Sequence, residues 1–453
     1  MNNYSRFITT LFVVVILKQL LWIAFVPLWQ YPDEQAHFGQ VQNIAEKRPT
    51  SVSGMGNTSK EIYESEKLLG TLRDPQGNNN YTFHPEYNIP YSSTTAGIYE
   101  KTIMQFPHAM RETLIINEAT SYPLLYYQLS ALFYNLAKES DLLTLVFTAR
   151  LVNLLIFFVI LIVTVKMSNL IFKNSFSGRI LFITLVVFHP MFSFVAGGIN
   201  SDNLFALIFN SGILLVVMII KSGWSIKKSI FLIILSYLGI VTKPQGYLLP
   251  LIFLLPAMKT FWQKKSNPMY IGIFLVGLVI LFYQPLVRML THQQFIPEII
   301  AIDGLHGISL SNYIHFLSDS IIHFYREAMP WYWGVFRWLS LTYPRPVHRI
   351  INVIILISLI GIGKFFLDKN PQRLGAFPSR LIVLFLMFVS GFYFIGLTTF
   401  NYLFYVSHGY LLGIQGRYFF PTILAHMALV TIGIMSVIPR HMKKVILNRF
   451  AIS

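Results

Sequence analysis

Two adjacent carboxylates, Asp33 and Glu34, follow Pro32 just after the first long apolar run, and His37 stands one helical turn further on. Ionisable groups beside hydrocarbon are costly, so at a membrane edge they mark candidate reaction centres. A carboxylate in a partly desolvated cleft has its pKa raised toward a useful value and can take a proton from a hydroxyl. Helical neighbours point about 100° apart, so only one of the two carboxylates faces a given cleft. His37 is three residues after Glu34 and four after Asp33, within reach of either. The same residues also suit a plain helix start, where Asp and Glu cap the first turn and complement its dipole.

Further polar residues interrupt apolar sequence downstream. Lys243 must pair or snorkel, with a phosphate or a structural carboxylate as its natural partner. In Gln415-Gly416-Arg417-Tyr418, Arg417 offers a bidentate fork for phosphate at a helix start, or an interface anchor. Asn200, Asp202 and Asn203 open another helix, where capping is the ordinary role and a substrate pocket the alternative. Arg150 lies inside an apolar run and calls for a structural partner. The sequence has no Cys, which excludes thiolate chemistry and Cys-ligated metal. His292, His306, His315 and His323 lack metal-ligand spacing, so no metal site is expected, although a divalent cation stays open as a cofactor. No glycine-rich phosphate loop is present, which argues against direct nucleotide use and for an activated lipid.

The elements that must position these residues are membrane helices. Of 453 residues, 54% are hydrophobic and 12% charged, with a mean hydropathy of +0.57. Apolar runs at 7–29, 121–137, 142–165, 180–196, 203–220, 229–242, 244–257, 269–287, 347–367, 379–399 and 418–438 approach the roughly 20 residues that span a bilayer. The first is too long for a signal-peptide core and reads as a retained helix. The net charge of +16 resides in short loops: Lys166, Lys173 and Arg179; Lys221, Lys227 and Lys228; Lys259, Lys264 and Lys265; Lys364, Lys369, Arg373 and Arg380; and the tail with Arg440, Lys443, Lys444 and Arg449. Positive-inside asymmetry explains this better than a nucleic-acid partner does. All five basic segments fall on the cytoplasmic side if the short, Tyr-rich run Ser121 to Leu136 lies in the interface. The expected architecture is an all-α polytopic bundle of about ten spans. Residues 1–29 hold the first helix, 30–141 a large extracytoplasmic loop with interfacial helices, 142–287 helices two to seven, 288–346 an outer interfacial segment, and 347–453 three last helices and a basic tail. Turn signals at Asp74-Pro75-Gln76-Gly77 and Asn78-Asn79-Asn80 fit the loop.

Tyr31-Pro32-Asp33-Glu34-Gln35-Ala36-His37-Phe38, Tyr122-Pro123-Leu124-Leu125-Tyr126-Tyr127, Ala149-Arg150-Leu151-Val152-Asn153, Asn200-Ser201-Asp202-Asn203, Lys243-Pro244 and Gln415-Gly416-Arg417-Tyr418-Phe419-Phe420-Pro421 together resemble the bacterial membrane family called domain of unknown function 2142. That family is grouped with the GT-C glycosyltransferases. The resemblance implies a GT-C bundle in the bacterial plasma membrane, with its active site on the extracytoplasmic face. It further implies a polyprenyl-phosphate-linked sugar as donor, a glycan or lipid-linked polymer as acceptor, and transfer with inversion. By analogy Asp33 is the general base, Glu34 shares that role, orients the acceptor or binds a cation, and His37 assists. Lys243, Arg417 and Gln415 would hold the donor phosphate, and Asn200, Asp202, Asn203 and Tyr127 would line the substrate pocket. Tyr122-Pro123-Leu124 departs from the wider superfamily, which often has His or Lys before a Pro-Pro pair there. The alternative is a transporter or flippase of a lipid-linked sugar, a class that concentrates charge near the bilayer midplane in repeated halves.

Overall fold

The computed structural model describes residues 3–48, 56–73, 93–253, 267–290, 309–337, 340–368, 377–411 and 413–438. Outside these lie the turn signals of 74–80, His292, His306, Lys259, Lys264, Lys265, Lys369, Arg373 and the basic residues beyond 438. Among the described residues, six helices are long and apolar enough to cross a membrane, consistent with an all-α polytopic protein. They include α1 (Asn3–Phe25) and, further along the chain, the 30-residue helix Leu142–Ile171.

The segment after α1 folds into a cap of short elements. Helix α2 (Glu34–Ala45) carries Gln35, His37, Gln40, Gln42 and Asn43, yet eleven of its twelve residues are buried. Burial of polar side chains costs least where their donors and acceptors are partnered. Gln42 donates to Glu61 at 2.6 Å, from α3 (Lys60–Leu69), and Asn43 donates to the Asn57 carbonyl at 2.8 Å. Strands β1 (Thr58–Ser59) and β2 (Leu114–Ile116) pair antiparallel beside it. Arg111 fastens the cap's far side, donating to Glu61 at 2.9 Å and to the Lys138 and Ser140 carbonyls at 2.8 Å each. The Tyr-rich run forms only α4 (Leu125–Tyr134) and one following 3-10 turn, laid against α2 and the long α5 (Leu142–Ile171).

The expected run at 180–196 is two helices, α6 (Phe176–Val187) and α7 (Pro190–Val195), because Pro190 cannot donate into a continuing helix. His189 caps the second piece, accepting from Phe192 N at 3.3 Å. The bundle continues with α8 (Ser201–Ser222), α9 (Ile226–Ile240), a 3-10 turn at Pro244–Tyr247 leading into helix 248–253, and α10 (Pro268–Leu290). Then come α11 (Leu310–His323), which runs through a π turn at Phe324–Ala328 into α12 (Met329–Gly334), and the spans α13 (Arg345–Leu367) and α14 (Arg380–His408). A 3-10 segment, Gly416–Thr422, opens the last helix, α15 (Ile423–Val437). Every one of the ten apolar runs expected to span thus carries helix among the described residues, six of them long and apolar enough there to cross a membrane.

Direction of travel sorts the charges. The C-terminal ends of α1 and α9 and the N-terminal ends of α8 and α15 meet around Asp33, Asp202, Lys243 and Arg417. At the other end, Lys221 Nζ caps the Leu170 carbonyl at 2.6 Å, and Arg380 reaches the Phe366 carbonyl at 3.1 Å. The described basic residues of the short loops therefore cluster opposite the acidic motif.

Candidate functional site

Asp33 is the last residue before α2, and its backbone is left-handed, with φ 60°. That region is uncommon for side chains other than Asn, Asp and Gly, and it recurs where structure holds a functional group in place. The consequence is directional, because the carboxylate makes no capping bond to α2. It points instead at two guanidiniums: Arg73 Nη1 donates to Oδ1 at 3.2 Å, and Arg417 Nη2 donates to Oδ2. Arg417 also donates to the Pro32 carbonyl at 3.2 Å, and Arg73 Nε donates to Glu118 Oε1 at 2.7 Å. The Asp33 side chain still keeps 35% of its surface open, so a ligand can reach it. Burial opposes its charge, but Arg417 and then Arg73 outweigh that cost and hold its carboxyl well below the usual range.

Glu34 points the other way. Its side chain is fully enclosed, accepting from Arg150 Nε at 2.8 Å, Arg150 Nη2 at 2.6 Å and the Ile199 amide at 3.1 Å. Arg150 in turn donates to the carbonyls of Ile23 and Val26, fastening the end of α1. Of the two carboxylates, Asp33 therefore faces the cleft and Glu34 ties the motif to α5. The close approach of Tyr31 to the 197–198 turn completes this anchor, since a Cβ at Gly198 would lie 2.3 Å from the Tyr31 ring.

His37 is buried, with Nδ1 2.7 Å from the Tyr127 hydroxyl and its ring stacked on Tyr122 and Tyr127. Burial pushes its pKa down to about 3 despite the nearby Asp33 and Asp202 carboxylates, so at neutral pH it is uncharged. Tyr127 is thus spent on His37. Asn200 caps α8 by accepting from Asp202 N at 2.9 Å, and Asn203 donates to the Gly198 carbonyl at 2.9 Å. These three candidate pocket residues engage protein groups.

Asp202 and Lys243 form a buried ion pair, and the Lys243 ammonium also sits 5.4 Å from the ring centres of both Tyr122 and Tyr418. Burial alone would lower the Lys243 pKa, but Asp202 more than reverses this and raises it. Lys243, Tyr122, Gln245 and Tyr418 line a cavity of about 400 Å³. Gln245 Oε1 and Gln415 Oε1 are buried with no hydrogen-bond partner. The orphaned atom of each is an acceptor that suits a hydroxyl donor, while the Nε2 of the same amide is a donor that suits a phosphate oxygen. Gly416 lets this turn lie flat on the α12 region, where a Cβ would come within 2.1 Å of Tyr332 N. Among the described residues no group of three His, Asp or Glu stands close enough to hold a metal ion.

Residues 16–425 match the family described as predicted membrane protein, DUF2142. The chain belongs to this family. It is the family that the acidic motif and the Gln415 to Pro421 stretch resemble. No curated protein matches the chain. Two crystal structures of ArnT from Cupriavidus metallidurans are similar in fold, one bound to undecaprenyl phosphate and one in the apo state. They align over 97% and 98% of this chain at 14% identity and a TM-score of 0.44. The chain spans 62% and 63% of their length, less than two thirds.

Arg73 and Glu118 are site residues that the sequence did not single out. Both sit in the polar cap among other charges, and only its folding brings them to Asp33.

Proposed function

We propose that this protein is a membrane glycosyltransferase of the GT-C kind that moves a sugar from a polyprenyl-phosphate donor to an acceptor hydroxyl, with inversion. The observation that carries this reading is the clamped but accessible Asp33 carboxylate, joined through Arg417 and Tyr418 to the Lys243 cavity. The clustering of the described basic residues at the opposite end supports an extracytoplasmic active site in a bacterial plasma membrane.

In this reading the donor phosphate lies against Lys243 and takes Arg417 as a bidentate partner. As Arg417 turns to the phosphate, Asp33 loses the strongest of the charges that hold its pKa down and becomes a better base. Asp33 accepts the acceptor's hydroxyl proton while that oxygen forms its bond to the anomeric carbon. The bond from that carbon to the phosphate oxygen breaks on the opposite face, and its electron pair stays on the lipid phosphate. The phosphate gains one negative charge as Asp33 loses one, so the net charge of the enclosed site is unchanged. Fixed cations in a dry cleft favour this transition state because they need no reorganisation as charge develops. Gln245 and Gln415 would accept hydrogen bonds from sugar hydroxyls.

Mass spectrometry of surface glycans from cells carrying the native chain or Asp33→Asn tests the reading. The Asn variant should lack one sugar at unchanged protein level, and identical glycans would refute the assignment.

A further inference from the structure

A second, larger cavity of about 770 Å³ lies between α11 and the C-terminal part of α14. The spacing of α11 makes it two-faced. His315, Asp319 and His323 recur every four residues and line the cavity, whereas Leu310, Ile314, Ile321 and Ile322 are exposed on the helix's other flank. An amphipathic helix of this kind lies in a membrane interface with its polar side turned to protein or water.

Opposite the polar row stands an aromatic wall. Phe316 packs against Tyr402 at 5.2 Å and Tyr405 at 6.1 Å between ring centres, and all three line the cavity. The Tyr402 hydroxyl is buried without a hydrogen-bond partner, an orphan that a ligand hydroxyl would satisfy. No described lining residue is Lys or Arg, and only the imidazoles of His315 and His323 stand there against the Asp319 carboxylate, a lining that favours an uncharged ligand over a phosphate or a uronic acid. It shares Asn401, Gly413 and Ile414 with the Lys243 cavity, so the two are neighbours across one turn of chain.

We propose that this cavity is a saccharide-binding site, taking an uncharged sugar whose ring lies against Tyr405 while Asp319 and His315 bond its hydroxyls. Weakly positive C–H edges of a sugar suit the negative faces of aromatic rings, and a carboxylate accepts two neighbouring hydroxyls at once. Its assignment as the acceptor site rests on the transfer reading above; the binding itself does not.

The test is an array of neutral, amino-bearing and acidic oligosaccharides probed with the purified full-length protein in detergent. The native chain should be retained on neutral saccharides above acidic ones, and Asp319→Asn and Tyr405→Ala should each weaken retention at least tenfold. Carbodiimide labelling of Asp319 in the native chain, read by mass spectrometry, should be slowed by the retained saccharide, which covers the case of a variant that fails to fold. No retention on neutral sugars, a preference for acidic ones, equal retention by the variants, or unprotected Asp319 would each overturn the site. Because the array contains no lipid donor, its result is separate from the glycan comparison. Retention with unchanged cell glycans in Asp33→Asn would refute transfer and leave the cavity standing.

Discussion

The sharpest structural prediction concerns two buried glutamates in the polar cap that look alike in sequence and should behave oppositely. Glu34 and Arg150 have no exposed side-chain surface and share two bonds of 2.8 and 2.6 Å. Glu34→Gln keeps the shape but leaves an uncompensated guanidinium in the bundle, and breaking a buried pair this way costs ~3–5 kcal/mol. A chain of this length loses roughly 1–2 °C of melting temperature per kcal/mol, so the expected drop is about 3–10 °C. Glu66 is equally buried, but its nearest charged neighbour is the Glu118 carboxylate and not a guanidinium held in a two-bond pair. Burial, followed by the neighbouring Glu118 carboxylate, pushes its pKa up, so Glu66 already carries a proton at neutral pH. Glu66→Gln should therefore melt close to the native chain. Adding Arg150→Met to Glu34→Gln should recover most of the loss, because the orphaned charge is gone. Tryptophan fluorescence during heating in detergent reads all four proteins. If Glu34→Gln melts like the native chain, or Glu66→Gln falls as far as Glu34→Gln, the assignment of partners is wrong.

Three further outcomes follow from the site. Lys243→Gln strands the Asp202 carboxylate, so it should lower both stability and, on the proposed transfer reading, binding of a polyprenyl phosphate in a lipid-overlay titration, by at least tenfold for binding; adding Asp202→Asn should restore stability but not binding. Arg73→Gln removes one of the cations that hold Asp33 ionised, so its pKa rises and the acid limb of the transfer rate should move to higher pH. Asp33's pairing stabilises the fold fully above the unfolded carboxyl range, and that contribution is lost progressively as pH falls from that range down through its depressed native pKa. His37 stays neutral down to about pH 3 while the unfolded chain protonates near 6.5, so its contribution to stability should fall as pH drops between those values, with no inflection near 6.5 in the transfer rate.

The acidic motif, Lys243 and Arg417 were legible because each places charge where apolar sequence ends, and such charge must find a partner. What a single sequence could not supply was the pairing. Asp33 and Glu34 are adjacent, and only the left-handed backbone at Asp33 sends one to the cleft and the other to Arg150. Asp202 and Lys243 are separated by a helical hairpin, so their mutual pairing follows from α8 and α9 lying side by side. The burial of α2 defeats composition outright, since its Gln and Asn side chains read as solvent-facing until the cap covers them. Of the helix boundaries within the apolar runs, the one at Pro244 was read from the sequence, whereas the break at Pro190 inside the 180–196 run was not.

The central claim is that Asp33 takes the acceptor's proton. Its most direct test is single-turnover sugar transfer by purified protein in lipid nanodiscs, comparing the native chain with Asp33→Asn at matched folded fraction. General-base catalysis contributes about 10²–10⁴-fold, so transfer should slow by that factor while the lipid donor still binds. Transfer at the native rate by the Asn variant would contradict it.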